Sequence, residues 1–379
     1  MRVVVVGLGV MGLPTARVLA ERGHDVVGID RHGVGARPGS SSGGSRVFRL
    51  SHTDAGMARL AVRAHAAWQR LQERAGEELI LVRGLLERGA PALDTARVLE
   101  AEGIPFRSLD ADGVAAIFPE LTPRPDAPAV FQETAGTILA DRTLAAELAL
   151  ARAAGVDVAE GERVAAIEPG ASGVRVATDR RTLDADVAVV CAGPWATELL
   201  GPLGLVPPLL GVPAQVTYFA SQPGAIDRPC VVEWHPAVED CMYGMPTPRG
   251  YKFGLLDWSR PWDPEGGAIP VDEDEQARLG EMVARAAPGL GAPTGSETCP
   301  VTLSADGKFV LDRRGPVVVG AGCSGQAFKF TPLLGELLAD LAEDRARDPL
   351  LEQFRLDRPG LDRPIGSMRD LVLYATQEG

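Results

Sequence analysis

Gly7, Gly9 and Gly12 fall in the pattern Gly-x-Gly-x-x-Gly, and Asp30 closes the next apolar run, Gly28-Ile29-Asp30. This spacing suits the grip of a dinucleotide. Gly7 permits a tight turn, Gly9 lets backbone approach a pyrophosphate, and Gly12 lets helix and strand pack closely. The helix N-terminus then meets the phosphates, and Asp30 accepts from ribose hydroxyls. Further along, Lys252 stands between Tyr251 and Phe253. A lysine in such an apolar run must snorkel, pair or do chemistry. Arg46 and Arg49 are three apart and would share a face on a turn or short helix. Lys329 ends the segment Gly322-Cys323-Ser324-Gly325-Gln326-Ala327-Phe328-Lys329.

Elements must bring these residues together. The start reads strand, helix near Leu13–Arg22, strand, with Gly23 as the stop. Gly39 to Arg46 is glycine-rich and polar, and is expected as a loop without regular structure. Apolar periodicity predicts helices at Met57–Arg74, Thr95–Glu102, Arg142–Ala154, Trp195–Leu200, Asp274–Ala287 and Thr331–Ala342. Strands are expected at Leu79–Val82, Val164–Ile167 and Val174–Thr178. Val187–Gly193 and Pro316–Gly322 are near-continuous apolar runs ending in glycine, the pattern of buried parallel strands. Residues 212–260 carry short strand-like runs and suggest a mostly antiparallel sheet. The strand-to-glycine units at the start, near residue 190 and near residue 320 imply one nucleotide domain assembled from separated portions of chain. The expected class is α/β, with a Rossmann-like nucleotide domain of residues 1–80, 145–211 and 306–379. It is interleaved with a β-rich substrate domain of 81–144 and 212–305.

Bulk properties narrow the function. A chain of 379 residues suits two domains. A net charge of −13 without a basic block argues against nucleic acid. No apolar run approaches the roughly 20 residues of a bilayer span. The first strand begins almost at Met1, so no export signal is read and a cytoplasmic protein is expected; a monomer is expected separately. Cys191, Cys230, Cys241, Cys299 and Cys323 include no Cys-x-x-Cys pair, which argues against a metal site or disulfide framework.

Two families compete for the fingerprint. The opening Gly7-Leu8-Gly9-Val10-Met11-Gly12-Leu13-Pro14, with Gly23-His24, looks much like the NAD-dependent 3-hydroxyisobutyrate dehydrogenase family. That family follows its nucleotide domain with an all-helical one, whereas this chain returns to strands late. Across nearly its whole length the chain resembles the monomeric sarcosine oxidase and N-methyltryptophan oxidase family of FAD-dependent amine oxidases. The fingerprint with Asp30 carries the resemblance, as do Gly39-Ser40 through Ser45-Arg46-Val47-Phe48-Arg49 and Tyr243-Gly244-Met245-Pro246 with Gly250-Tyr251-Lys252. Cys299 through Phe309-Val310-Leu311-Asp312 to Phe330 completes it.

The resemblance implies an FAD-dependent oxidase of a secondary or N-methylated amino acid that makes hydrogen peroxide from O2. It implies that Cys299 bonds covalently to the flavin, and that Lys252, with Arg46 near the ring, promotes reaction with oxygen. A fixed positive charge would stabilise superoxide as it forms. It implies that Arg49 and Lys329 clamp the substrate carboxylate while Tyr243 walls the substrate. Arg31, Ser40, Ser45, Gly322, Gly325 and Phe328 are implied at the cofactor, with backbone at Val164 against adenine. Val301, Leu256 and Gln326 depart from the family's usual residues, and the last two border the substrate. Oxidases of proline, pipecolate or glycated amines, and a dehydrogenase using another acceptor, remain open alternatives.

Overall fold

The computed structural model describes residues 1–37, 39–205, 209–220, 225–258, 260–363 and 365. Residues 206–208 and 366–379, parts of the stretches assigned to the nucleotide domain, lie outside the described residues, as do 38, 221–224, 259 and 364.

A six-stranded sheet runs in the order Val310–Arg314, Val317–Ala321, Val187–Val190, Arg2–Val6, Asp25–Asp30, Asp157–Glu160. All neighbours are parallel except the first pair, which is antiparallel. Val3–Val6 and Val187–Val190 are buried throughout because both sheet faces are covered. Each such valine contributes roughly 1.5–3 kcal/mol of burial. On one face pack the helices Gly12–Glu21 and Thr331–Ala342, with Ala140–Ala153 against the first of them. On the other lies a three-stranded sheet of Val164–Gly170, Gly173–Thr178 and Thr182–Ala185, together with the helix Ala196–Leu200. A Cβ at Gly12 would stand 1.9 Å from the Gly7 carbonyl oxygen, so the first helix can begin there only with glycine.

An eight-stranded sheet is built from strands between Leu85 and Leu303. Its order is Pro293–Leu303, Leu210–Phe219, Gly250–Leu255, Met242–Thr247, Cys230–Glu233, Leu85–Arg88, Ala129–Gln132, Arg107–Leu109. It is antiparallel except where Cys230–Glu233 runs parallel to Leu85–Arg88. One face rests on Phe118, Phe131, Phe219, Tyr251 and Phe253, backed by Leu279 and Val283 of the helix Glu273–Ala286. A third, three-stranded sheet, Ser45–Phe48, Gly136–Leu139 and Ile80–Val82, sits beside it.

Several elements differ from expectation. Ser45 and Arg46 belong to a strand rather than a loop, because Ser45–Phe48 pairs antiparallel with Gly136–Leu139. The helix expected at Thr95–Glu102 starts earlier, at Pro91, a residue favoured in a first turn. The helix expected from Trp195 begins at Ala196, after a 3-10 turn Gly193–Trp195. The short helix Ala111–Ile117 and the strands Leu85–Arg88, Arg107–Leu109 and Ala129–Gln132 were not expected.

Candidate active site

The fingerprint turn opens a cavity along the C-terminal edge of the six-stranded sheet. It is lined by Gly7, Gly9, Asp30, Arg31, Ser40, Val164, Gly325 and Phe328, and reaches Arg46 and Cys299 at its far end. Gly7 has φ +87°, and a Cβ there would meet the Cys191 carbonyl oxygen at 2.4 Å. The Asp30 carboxylate accepts from the backbone N–H of Leu8 (2.9 Å), His32 (2.9 Å) and Gly33 (2.8 Å), which fixes it across from the glycine turn. Arg31 pairs with Glu265 at 2.7 Å and lies over the Trp195 ring. Gly12 and Gly322 do not line this cavity. Gly12 serves helix packing, and Gly322 (φ +62°) turns the chain after Val317–Ala321, beside Ser304. The Ser40 and Thr302 hydroxyls are buried along the cavity without hydrogen-bond partners. A glycine cradle, an acceptor placed for ribose and unpartnered hydroxyls together fit FAD, which brings phosphates and a polar ring edge.

The second cavity, of about 390 Å³, lies against one face of the eight-stranded sheet. Strand register decides what that face carries, since side chains alternate across a strand. Tyr218 and Met245 both pair with Lys252, Val216 pairs with Gly254 and Glu297, Tyr243 with Gly254 and Val232, and Ala214 with Cys299. All therefore share one face, and Glu87, opposite Val232, joins them. The alternate residues Tyr251 and Phe253 fill the core behind. A one-residue slip would bury Tyr251 in the cavity and Lys252 in hydrocarbon.

Lys252 is 3% exposed, and its Nζ donates to the Ser45 carbonyl oxygen at 3.0 Å. Burial, then the nearby Arg46, lowers its pKa to about 7. Arg46 donates to the carbonyl oxygens of Ser45 (2.8 Å), Ser40 (3.0 Å) and Ser42 (2.6 Å), and its guanidinium lies over Phe328. It thereby shapes the 40–45 segment and borders both cavities. The Ser45 hydroxyl, also buried, has no partner. Tyr243 occupies the space that Gly254 leaves, for a Cβ at 254 would stand 2.8 Å from its ring. Cys299, Val301, Gly325 and Phe328 line both cavities, so the two meet there.

At the other end stand Arg49, Lys329 and His52. Arg49 follows the strand Ser45–Phe48, so it and Arg46 do not share a helical or turn face, yet both border the cavity. Lys329 lies on the 3-10 turn Ala327–Phe330, anchored where its carbonyl oxygen accepts from Trp68 Nε1 at 2.7 Å. Burial, then Arg49, pushes its ammonium pKa well down. His52 is buried with Nε2 unpartnered, and burial, then Arg49 and Lys329, pushes its pKa well down. Glu87 Oε1 stands 3.8 Å from Arg49 and has no hydrogen bond.

His52, Glu87, Glu297 and Lys308 were missed in the sequence. One signal was available: the chain has three lysines, Lys252, Lys308 and Lys329, and all three line this cavity. Lys308 Nζ donates to Asp54 at 2.7 Å. His235 lies outside both cavities, its backbone N–H on Cys241 Sγ. Among the described residues no group of three or more His, Cys, Asp or Glu is placed to hold a metal, and no helix is long and apolar enough to cross a membrane.

The profile of the FAD dependent oxidoreductase family matches residues 2–341. A monomeric sarcosine oxidase of Streptomyces avermitilis is 33% identical over 90% of this chain and 93% of that protein. The peroxisomal sarcosine oxidase of Homo sapiens is 30% identical over 94% of this chain and 95% of that protein. N-methyl-L-tryptophan oxidase of Escherichia coli is 26% identical, covering 94% and 98%. In structure the chain is similar to the open form of NikD, described as an unusual amino acid oxidase essential for nikkomycin biosynthesis. The TM-score is 0.84 at 30% identity, covering 96% of this chain and 98% of that one.

Proposed function

The chain belongs to the FAD dependent oxidoreductase family, and from that premise we propose that it oxidises a secondary or N-methylated amino acid. The amine would become an imine that water hydrolyses, with dioxygen reduced to hydrogen peroxide. The reading rests chiefly on the junction of the two cavities at Cys299, Val301, Gly325 and Phe328, with Lys252 and the Arg49–Lys329 pair lining the same substrate space. When bound, FAD supplies an acceptor for the electron pair of the C–H bond beside nitrogen.

The residues of the chain do the rest. Arg49 and Lys329 hold the carboxylate, the first through a planar fork and the second as a point charge. Tyr243 forms an aromatic wall over the substrate. Lys252 and Arg46 hold positive charge beside the site of oxygen reduction, where low local dielectric strengthens it. Asp30 with Gly7 and Gly9 would grip the adenosine and pyrophosphate, and the Cys299 thiol would anchor the ring covalently. Trp234, Met245 and Trp258 are among the walls of the second cavity, so the substrate's carbon skeleton would meet apolar surface there.

Two measurements test this. The purified protein should be yellow, and the colour should stay with the pellet on acid precipitation. A panel of N-methyl and cyclic amino acids should yield peroxide with at least one member. A colourless protein that turns over a hydroxy acid with NAD would overturn the reading.

A further inference from the structure

Lys252 is surrounded by groups from six elements, one of them the strand Cys230–Glu233, where burial pushes the Cys230 thiol up to about 12 and leaves it uncharged. Arg46 comes from the strand Ser45–Phe48, Met245 from Met242–Thr247, and Tyr218 from Leu210–Phe219. Cys299 and Glu297 come from Pro293–Leu303, and Asp141 from the helix Ala140–Ala153. Arg46 opposes a positive charge on Lys252, while Cys299, Glu297 and Asp141 favour it. Asp141 is exposed, so water screens it, and a cysteine joined to a cofactor carries no charge. Glu297 is what remains.

Its placement is specific. Glu297 shares the cavity face of the sheet with Lys252, and the Tyr218 hydroxyl donates to its Oε2 at 2.9 Å. The ring of that same tyrosine lies 5.9 Å from Lys252 Nζ. Arg249 pairs with Glu297 and stacks over Tyr218 at 4.1 Å from the ring centroid. The Arg249 side chain is 63% exposed and that of Glu297 17%. Solvent therefore weakens the arginine's claim on the carboxylate more than it weakens the carboxylate's field inside the cavity.

We propose that Glu297, steered by Tyr218, is a positioning residue that keeps Lys252 an ammonium ion on the cavity face of the sheet. The use of that ammonium in reaction with oxygen, and the cofactor bond that takes the charge off Cys299, rest on the function proposed above; the placement of Glu297 and Tyr218 on the Lys252 face of the sheet does not. Three lysines make the test direct. Holoenzyme labelled at lysine side-chain carbon gives three titrating NMR signals, and Lys252→Met identifies one. Glu297→Gln keeps the shape and an acceptor for Tyr218 but removes the charge. Its Lys252 midpoint should fall by about one pH unit. Tyr218→Phe frees the carboxylate and should shift the midpoint in the same direction by less; it also serves should the glutamine variant not fold. An unmoved Lys252 midpoint in both variants would overturn the proposal. In stopped-flow reoxidation, Glu297→Gln should move the alkaline loss of rate to lower pH and leave the acidic plateau in place. An equal loss at every pH would mark a merely structural role. Failure of Lys252→Met to slow reoxidation, with the NMR shift present, would sink the oxidase reading and leave the positioning role standing.

Discussion

Lys252 Nζ is bonded to the Ser45 carbonyl oxygen at 3.0 Å, although 207 positions separate the two residues. That oxygen also accepts from Arg46. One carbonyl thus registers the large sheet against the small one and fixes how far apart two cations stand. Like charges held together in a buried space resist each other, and an anion forming beside them relieves the repulsion. This is the arrangement expected of a site that waits for negative charge.

Lys252→Met removes the charge and keeps most of the volume. Reduction of the cofactor by substrate should be nearly unchanged, while reaction of the reduced enzyme with oxygen should slow by about 10²–10³-fold. Separate stopped-flow half-reactions give the answer, and equal slowing of both would refute the assigned role. In the wild type the oxidative rate should fall as pH rises through about 7, where Lys252 loses its proton.

Arg49→Met and Lys329→Met should each weaken a carboxylate ligand by about 10²-fold, since each deletes a charge-assisted hydrogen bond in a buried site. The loss should be in KM or Kd far more than in kcat. A methyl ester of the substrate should discriminate little between wild type and these variants.

Carboxylate binding should take up a proton. Free Lys329 has its pKa pushed well down by burial and Arg49, so it is neutral above that depressed value. An arriving anion favours the ammonium and raises the pKa again, so affinity should decline as pH climbs. Calorimetry of a non-oxidisable carboxylate in two buffers of different ionisation enthalpy measures the uptake. Proton release would show the assignment to be wrong.

Cys299→Ala should leave FAD bound but extractable, with colour moving to the supernatant after acid treatment. Retention of colour in the precipitate would place the attachment elsewhere.

Gly254→Ala would put a methyl group 2.8 Å from the Tyr243 ring. Overpacking of this kind costs about 1–3 kcal/mol. A lower thermal midpoint is expected, with recovery when Tyr243→Leu is added. An additive double variant would show that the two residues do not share this space.

Much of this was legible in the sequence because the relevant signals are local. The fingerprint, the valine runs and the helix at Thr331–Ala342 announce themselves through glycine placement and apolar period, and the structure has that helix with the expected bounds. Leu85–Arg88 and Arg107–Leu109 did not, being short and carrying arginines that a strand reading disfavours. Glu87 and Glu297 were invisible for a different reason. A carboxylate on a strand is ordinarily a solvated one, and only the pairing of Val232 with Glu87 and Val216 with Glu297 puts both on the cavity side of the sheet, where Glu297 lines the cavity and Glu87 stands behind Arg49. Register is a property of two distant segments, so neither segment alone discloses it. Lys308 could have been found by counting.

The three lysines have a practical corollary. Side-chain amines are confined to the hollow where substrate would enter, and the outer basic charge is guanidinium. Acylating dyes, aldehyde cross-linkers and amine-reactive supports would find few handles on the exterior. Lys308, with 28% of its side chain open to solvent, is the one among the three that such a reagent would reach first. Its modification should be blocked by whatever molecule fills the hollow, which makes amine labelling a footprint of occupancy.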